Sequence, residues 1–302
     1  MAFGLATARV GGVPTPLLCI EGRAYRLADL GFASASGLLG LFENWDEAEP
    51  LLVSAAGRLA AQPDSVASVA GEGDWLTPLQ YPRKVVCTGF NYREHVTKDS
   101  GRAAFDKDDS VPVFFLKPPS TTLVGAGPTV RYPAQSQKFD YELELAVVIG
   151  RRGRRIPVED AMAYVAGYTI GLDLSARDWQ RHPKHPANFD LFGGKAFDDS
   201  CPLGPAIVPA RFVDSRDLRL EMRVNGELRQ DASTADMIWP VPELIAHISA
   251  HLTLEPGDVI MTGTPSGVGL ATGTWLKPGD RLEGRISGLG SLTVEIVNDV
   301  VA

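Results

Sequence analysis

Glu142 and Glu144 lie two residues apart in the stretch 139–149, an alternating run rich in β-branched residues that reads as a strand. Side chains two apart on a strand share a face, so the two carboxylates project together while Leu143, Leu145 and Val147 turn away. Their Cα atoms then sit roughly 6.5–7 Å apart, close enough for both to lean toward one cation at about 2.0–2.6 Å. Without a cation, the pair in a half-buried setting would raise each other's pKa. The alternative is a solvent-facing strand edge; the metal reading calls for a hard divalent ion.

Further along, Asp173 closes an apolar run at 165–172 and opens a segment ending at Gln180. Asp173, Arg177 and Gln180 are spaced to fall on one face of a short helix. Asp173 is then either a helix cap beside a solvated Arg177, or a third carboxylate ligand with Arg177 and Gln180 holding a substrate acid. Lys195 follows Gly193 and Gly194, which permit close approach of a ligand to the backbone; a surface lysine on a loop is the plainer alternative. It comes after a polar, His/Pro-rich stretch at 181–190 with the character of a mobile lid.

His95, just past a strand end and a Gly-Phe-Asn-Tyr turn, is the side chain best suited to proton transfer near neutrality, unless it is structural. Thr264, in a glycine-rich turn at 261–269, either binds a substrate oxygen or serves the turn alone. That turn is no phosphate loop, since no Lys-Ser/Thr follows it.

The elements that must position these residues are mostly strands. Strand signals fall at 84–88, 113–117, 141–149, 165–174, 218–224, 259–262, 281–286 and 291–297, with helices at 157–163, 175–180 and 242–251. Asn225-Gly226 marks a two-residue hairpin. Residues 1–78 differ: a hairpin at 15–27 and helical patches at 28–41 and 45–61, without an ionisable cluster, read as a small N-terminal domain ahead of a catalytic unit at 79–302. With 31 Gly and 22 Pro and short apolar runs, the fold class is mainly β, of the α+β kind.

A net charge of −8 removes any basic surface that would argue for nucleic acid. No apolar run approaches the roughly 20 residues of a membrane span, and the first residues lack the pattern of a signal peptide. Three scattered cysteines without zinc spacing read as reduced packing residues, with the cytoplasm as default compartment.

Taken in order, the stretches 89–95, 112–118, 140–150, 167–180, 194–198, 224–227 and 263–269 resemble the fumarylacetoacetate hydrolase family, in particular its acylpyruvase and fumarylpyruvate hydrolase branch. The resemblance implies a mixed β-roll or sandwich catalytic domain, usually homodimeric, that binds Mg2+ or Mn2+ and sometimes Ca2+. By motif position, Glu142, Glu144 and Asp173 would be the metal ligands. Lys117, Arg177, Gln180 and Thr264 would line the substrate site, and Lys195 would be catalytic. His95 would be the general base.

The implied reaction is hydrolytic C–C cleavage of an acylpyruvate or related β-diketo acid, as in the breakdown of aromatic compounds. The substrate is a small anionic keto acid chelated by the ion. Water deprotonated by His95 attacks the distal carbonyl, and the resulting enolate is stabilised by the metal and Lys195. One departure stands out: family hydrolases often carry Glu three residues after this His, where the chain has Lys98. Asp99, four residues after, could substitute if the segment is helical. If it is not, isomerisation or decarboxylation of 2-oxo or 2-hydroxydienoic diacids, of the 5-carboxymethyl-2-hydroxymuconate or oxaloacetate type, becomes the better expectation.

Overall fold

The computed structural model describes residues 1–32, 37–69, 74–101 and 103–299. The strand Leu143–Ile149 is buried along its whole length. A strand with both faces covered needs apolar residues on each. Leu143, Leu145, Val147 and Ile149 enter one hydrophobic cluster, whereas Ala146 and Val148 enter another. The first cluster is shared with a five-stranded sheet, in which Leu220, Met222 and Val224 of Arg219–Val224 point inward by simple alternation. Its hairpin turns at Asn225-Gly226, both in the left-handed region at φ 52° and 84°, as the dipeptide predicts. Across the other face of the central strand lie Leu52, Ala56 and Leu59 of the helix Trp45–Ala61. The fold is therefore a large sheet lying between a smaller sheet and the helix Trp45–Ala61, the mainly β, α+β architecture expected.

Among the described residues the large sheet has 12 strands. Leu143–Ile149 runs antiparallel to Val165–Leu172 on one side and to Val259–Met261 on the other, and Val259–Met261 runs parallel to Val85–Gly89. These directions bring four chain positions to a single edge: the start of Leu143–Ile149 and the ends of the other three. Beyond Lys117 the chain crosses back to pair Leu123–Val124 with Cys201–Pro202, which rolls the sheet.

Residues 1–78 are joined to this framework. Gly4–Val10 pairs with Cys201–Pro209, and Phe3, Leu5 and Leu18 pack in the same cluster as Val85, Cys87 and Met261. Sheet and core thus run across the change in motif content near residue 78. The expected helix at 28–41 lies partly outside the described residues; the described parts are a 3-10 turn at Leu27–Leu30 and a short helix at Leu38–Phe42. In place of the α-helix expected at 157–163 there is a 3-10 helix, Val158–Tyr164.

Cys87 and Cys201 are buried, and burial pushes the Cys201 thiol up to about 12. That is the chemistry of packing residues. No helix among the described residues is long and apolar enough to cross a membrane.

The roll depends on close backbone approach at Gly125, where a Cβ would lie 2.4 Å from both the Leu76 carbonyl carbon and the Trp75 carbonyl oxygen. Since backbone cannot step aside as a flexible side chain can, Gly125→Ala is expected to cost about 3 kcal/mol and to lower Tm by about 6 °C. An unchanged melting curve would mean that this contact is not tight in solution.

Candidate metal and substrate site

At the edge where these strand ends gather, Glu142, Glu144 and Asp173 each offer a carboxylate oxygen, all within 4.8 Å of one another. The antiparallel ladder explains their meeting. Leu143 pairs with Leu172, and one residue further the Asp173 amide donates to the Glu142 carbonyl at 2.8 Å. Asp173 is thus placed by the sheet and not by a helix; the helix begins only at Arg177, so the expected single helical face is corrected to a strand end followed by one turn, Arg177–Gln180. The carboxylates converge all the same, because cross-strand neighbours are nearer than residues four apart along the chain.

Three cations surround the group. Lys195 Nζ lies 2.6 Å from Glu142 Oε2 and 2.5 Å from Asp173 Oδ2. Arg177 donates from Nη2 to Glu142 Oε1, and from Nε to Asp140 Oδ2 at 2.8 Å. Lys117 Nζ, fully buried, sits 2.9 Å from Asp173 Oδ1. It also donates to the carbonyls of Leu174, Lys195 and Ser200 at 3.2, 2.5 and 2.8 Å. Lys117 therefore does not line the cavity as the family resemblance implied: all its donors are spent beneath the carboxylates, holding Asp173 and the backbone of Lys195 in place.

Four carboxylates (Asp140, Glu142, Glu144, Asp173) face these three cations, which leaves one negative charge over. The imbalance shows most at Glu144, although burial raises the pKa of Asp140 as well. Burial, reinforced by the charges of Asp173 and Glu142, raises the Glu144 pKa well above the ordinary carboxylate value. Glu142 is shifted the other way: burial opposes its charge, yet Arg177 and Lys195 outweigh burial and hold it below the usual range. Glu144 Oε2 accepts from the Gly263 amide at 2.7 Å, while Oε1 has no hydrogen-bond partner although it is buried. A buried orphan oxygen within a cluster carrying surplus negative charge is what a divalent cation would satisfy. The all-carboxylate donor set suits a hard ion such as Mg2+ or Mn2+.

The cavity over this cluster is lined by Glu142, Asp173, Arg177, Gln180, Lys195 and Thr264 together with His95. Gln180 Oε1 accepts from Arg177 Nη1 at 3.3 Å. Thr264 Oγ1 donates to the Leu143 carbonyl and accepts from Gln230 Nε2, both at 2.9 Å, so its hydroxyl is held by the protein.

His95 opens a single π-helical turn, His95–Asp99, and that turn puts His95 Nδ1 2.9 Å from Asp99 Oδ2. Asp99 is held in turn by Ser266 Oγ at 2.6 Å and the Gly267 amide at 3.1 Å. Lys98 points away to an exposed pair with Glu94. The segment is helical, and Asp99 rather than Lys98 lies beside the histidine.

Several contributors were not anticipated from the sequence. Asp140 is completely buried and accepts from Arg177, from the Gly269 amide at 2.6 Å and from the Leu270 amide at 2.9 Å. Ser266, Gly263, Gly267 and Gly269 make the glycine-rich loop a common anchor for Glu144, Asp99 and Asp140. Phe189 and Leu191, from and beside the polar stretch read as a lid, also line the cavity. The signals were there, an Asp two residues before Glu142 and a glycine-rich turn, but only the fold shows what the loop binds.

Residues 84–297 match the family described as fumarylacetoacetate hydrolase, C-terminal, and the chain belongs to that family. Among curated relatives, the human mitochondrial oxaloacetate tautomerase is 43% identical over 229 residues, covering 75% of this chain and 70% of its own. A solved fumarylacetoacetate hydrolase from psychrophilic Exiguobacterium antarcticum superposes with a TM-score of 0.82 at 32% identity, covering 98% and 99% of the two chains. The maleylpyruvate hydrolase of Sphingobium sp. SYK-6, solved with manganese(II) and pyruvate, gives a TM-score of 0.78 at 29% identity, over 99% of each chain.

If the three carboxylates hold a divalent ion, Mn2+ at a hundredfold excess over Kd should add about 2.7 kcal/mol to stability, a rise in Tm of about 5 °C that EDTA reverses. Glu144→Gln, neutral and nearly isosteric, should fold and lose that rise. An equal shift in the variant would show that Glu144 is not a ligand.

Proposed function

We propose that this protein is a divalent-metal-dependent hydrolase that cleaves a C–C bond in an acylpyruvate or related β-diketo acid. The observation that carries this reading is that His95, paired with Asp99, lines the same cavity as Glu142 and Asp173 of the acidic cluster. Glu142, Glu144 and Asp173 would hold Mg2+ or Mn2+, which supplies a Lewis acid for the oxygens of a 2-oxo acid.

The chain's own residues account for the proton transfers and the charge. Asp99 accepts from His95 Nδ1, which fixes the tautomer and leaves Nε2 as the free acceptor. Nε2 takes a proton from water as the water oxygen adds to the distal carbonyl. Collapse of the adduct breaks the C–C bond; its electron pair leaves with the 2-oxo acid fragment as an enolate, while the other fragment departs as a carboxylic acid that ionises to solvent. The imidazolium returns its proton to the enolate carbon, giving the keto acid. Lys195 and Arg177 place positive charge beside the developing enolate. Gln180, buried against Arg177, orients the acid group.

A second reading is favoured by the tautomerase relative: an isomerase or decarboxylase of an oxaloacetate-type diacid, in which His95 moves a proton between carbon and enol oxygen with no water added. A homodimeric assembly, a role in aromatic catabolism and a cytoplasmic location complete the leading reading. They rest on the family resemblance and the buried thiols, whereas the tautomerase relative is mitochondrial.

With Mn2+ and an acylpyruvate, the products should be two acids, and EDTA should abolish the reaction. His95→Ala and Asp99→Asn should each lower kcat by about 10²–10⁴-fold while keeping the Mn2+-dependent rise in Tm. Release of CO2, or enol–keto interconversion alone, would replace hydrolysis with the second reading. Full activity in both variants would remove the dyad from either.

A further inference from the structure

Leu143 stands between Glu142 and Glu144, so the course of its backbone sets how the two carboxylates are spaced. On one side that backbone is held by pairing with Leu172. On the other, the ladder with Val259–Met261 ends with Ala146 opposite Met261. The Thr262 amide still reaches the Leu145 carbonyl at 3.1 Å, and the chain then turns away at Gly263, φ 93°. Strand pairing on this side stops just short of the residue between the two glutamates.

Two side chains take over where the ladder stops. Gln230 Oε1 accepts from the Leu143 amide at 3.1 Å, and Thr264 Oγ1 donates to the Leu143 carbonyl at 2.9 Å. Gln230 Nε2 closes the circuit, donating to Thr264 Oγ1 at 2.9 Å and to the Pro265 carbonyl at 2.8 Å. We infer that Gln230 is a positioning residue for the cation site. Acting through Thr264 and the Leu143 backbone, it fixes the separation of Glu142 and Glu144 and so sets the affinity of the cluster for a divalent ion. The inference rests on the metal reading of that cluster and adds a residue on which the site depends.

The surroundings of Gln230 support this over a packing role. It is 1% exposed and stands directly opposite Met222, which enters the apolar cluster beneath the central strand. An uncompensated amide is costly in such a place, and an apolar side chain would pack there without that cost. Both kinds of polar atom are used: the oxygen on Leu143, the nitrogen on Thr264 and Pro265. The partners also fix which way the amide points, since the Leu143 N–H needs an acceptor and the Pro265 carbonyl a donor.

The backbone is shaped to deliver this side chain. Pairing passes from Met222 with Gln230 to Arg223 with Leu228, which leaves Arg229 unpaired in a bulge immediately before Gln230. Bulges of this kind re-aim the side chains beside them. From the other side Gly267 closes in, where a Cβ would come 3.4 Å from Gln230 Cα. Removing the amide would leave the buried Leu143 N–H and Pro265 carbonyl without these partners. The backbone can regain partners only by moving, and Glu142 and Glu144 move with it.

The test is calorimetric titration of the protein with Mn2+, comparing Kd across four variants. Gln230→Met keeps the length of the side chain and removes its hydrogen bonds. Thr264→Val removes the hydroxyl at nearly constant shape, and Thr264→Ser keeps it. Leu59→Ala, in the helix Trp45–Ala61, lowers stability far from the circuit. Gln230→Met and Thr264→Val should each raise Kd by about tenfold or more, whereas Thr264→Ser and Leu59→Ala should stay within about twofold of wild type. A smaller rise in the first pair, an equal rise in Leu59→Ala, or no restoration by serine would overturn the positioning role while leaving the metal site intact. Should Gln230→Met not fold, the two Thr264 variants decide by the same criterion. Absence of Mn2+ binding by the wild type would overturn the metal reading, and the positioning role with it.

Discussion

Surplus negative charge buried at one end of a fully enclosed strand is the constraint around which this molecule is arranged. Carboxylate oxygens of Glu142, Glu144 and Asp173 are brought within 4.8 Å of one another by strand pairing that is otherwise largely apolar. Taking three carboxylates out of water is costly unless charge and hydrogen bonds replace the solvent. Lys117, Lys195 and Arg177 supply most of that replacement, with Asp140 holding Arg177 in line. What is left over appears on Glu144, as a raised pKa and an oxygen without a partner. A dication would complete the balance.

The glycine-rich loop after Val259–Met261 ties this charge to the His95–Asp99 pair. Its amides and one hydroxyl reach Glu144, Asp99 and Asp140, three acidic residues with three different tasks. Glycine at 267 leaves room where a Cβ would come 2.1 Å from the Arg229 carbonyl oxygen, at φ 104°. The close backbone approach that lets the loop serve all three is therefore excluded to other residues at that position.

How much of this was legible in the sequence follows from the range of the interactions involved. The shared face of Glu142 and Glu144, the strand at Val113–Lys117, the Asn225-Gly226 hairpin and the helix Trp45–Ala61 depend on local periodicity and turn chemistry, and they read directly. Asp173 reads as a partner at the close of a strand, but the face it shares is read from a helical spacing of acid, Arg and Gln, because the cross-strand amide bond to Glu142 that places it is not visible in sequence. Lys117 looked like any cation in a family motif; its burial beneath the site arises from the rolling of the sheet, a long-range property. The continuity of residues 1–78 with the large sheet is hidden for the same reason: Gly4–Val10 finds its partner some 200 residues away in Cys201–Pro209.

Because the account depends on one cation held by three acidic side chains, the most direct measurement is anomalous diffraction from a crystal equilibrated with Mn2+. The expected result is a single strong peak coordinated by oxygens of Glu142, Glu144 and Asp173. A map with no peak among these residues at saturating Mn2+, and Lys195 still bridging Glu142 and Asp173, would contradict it.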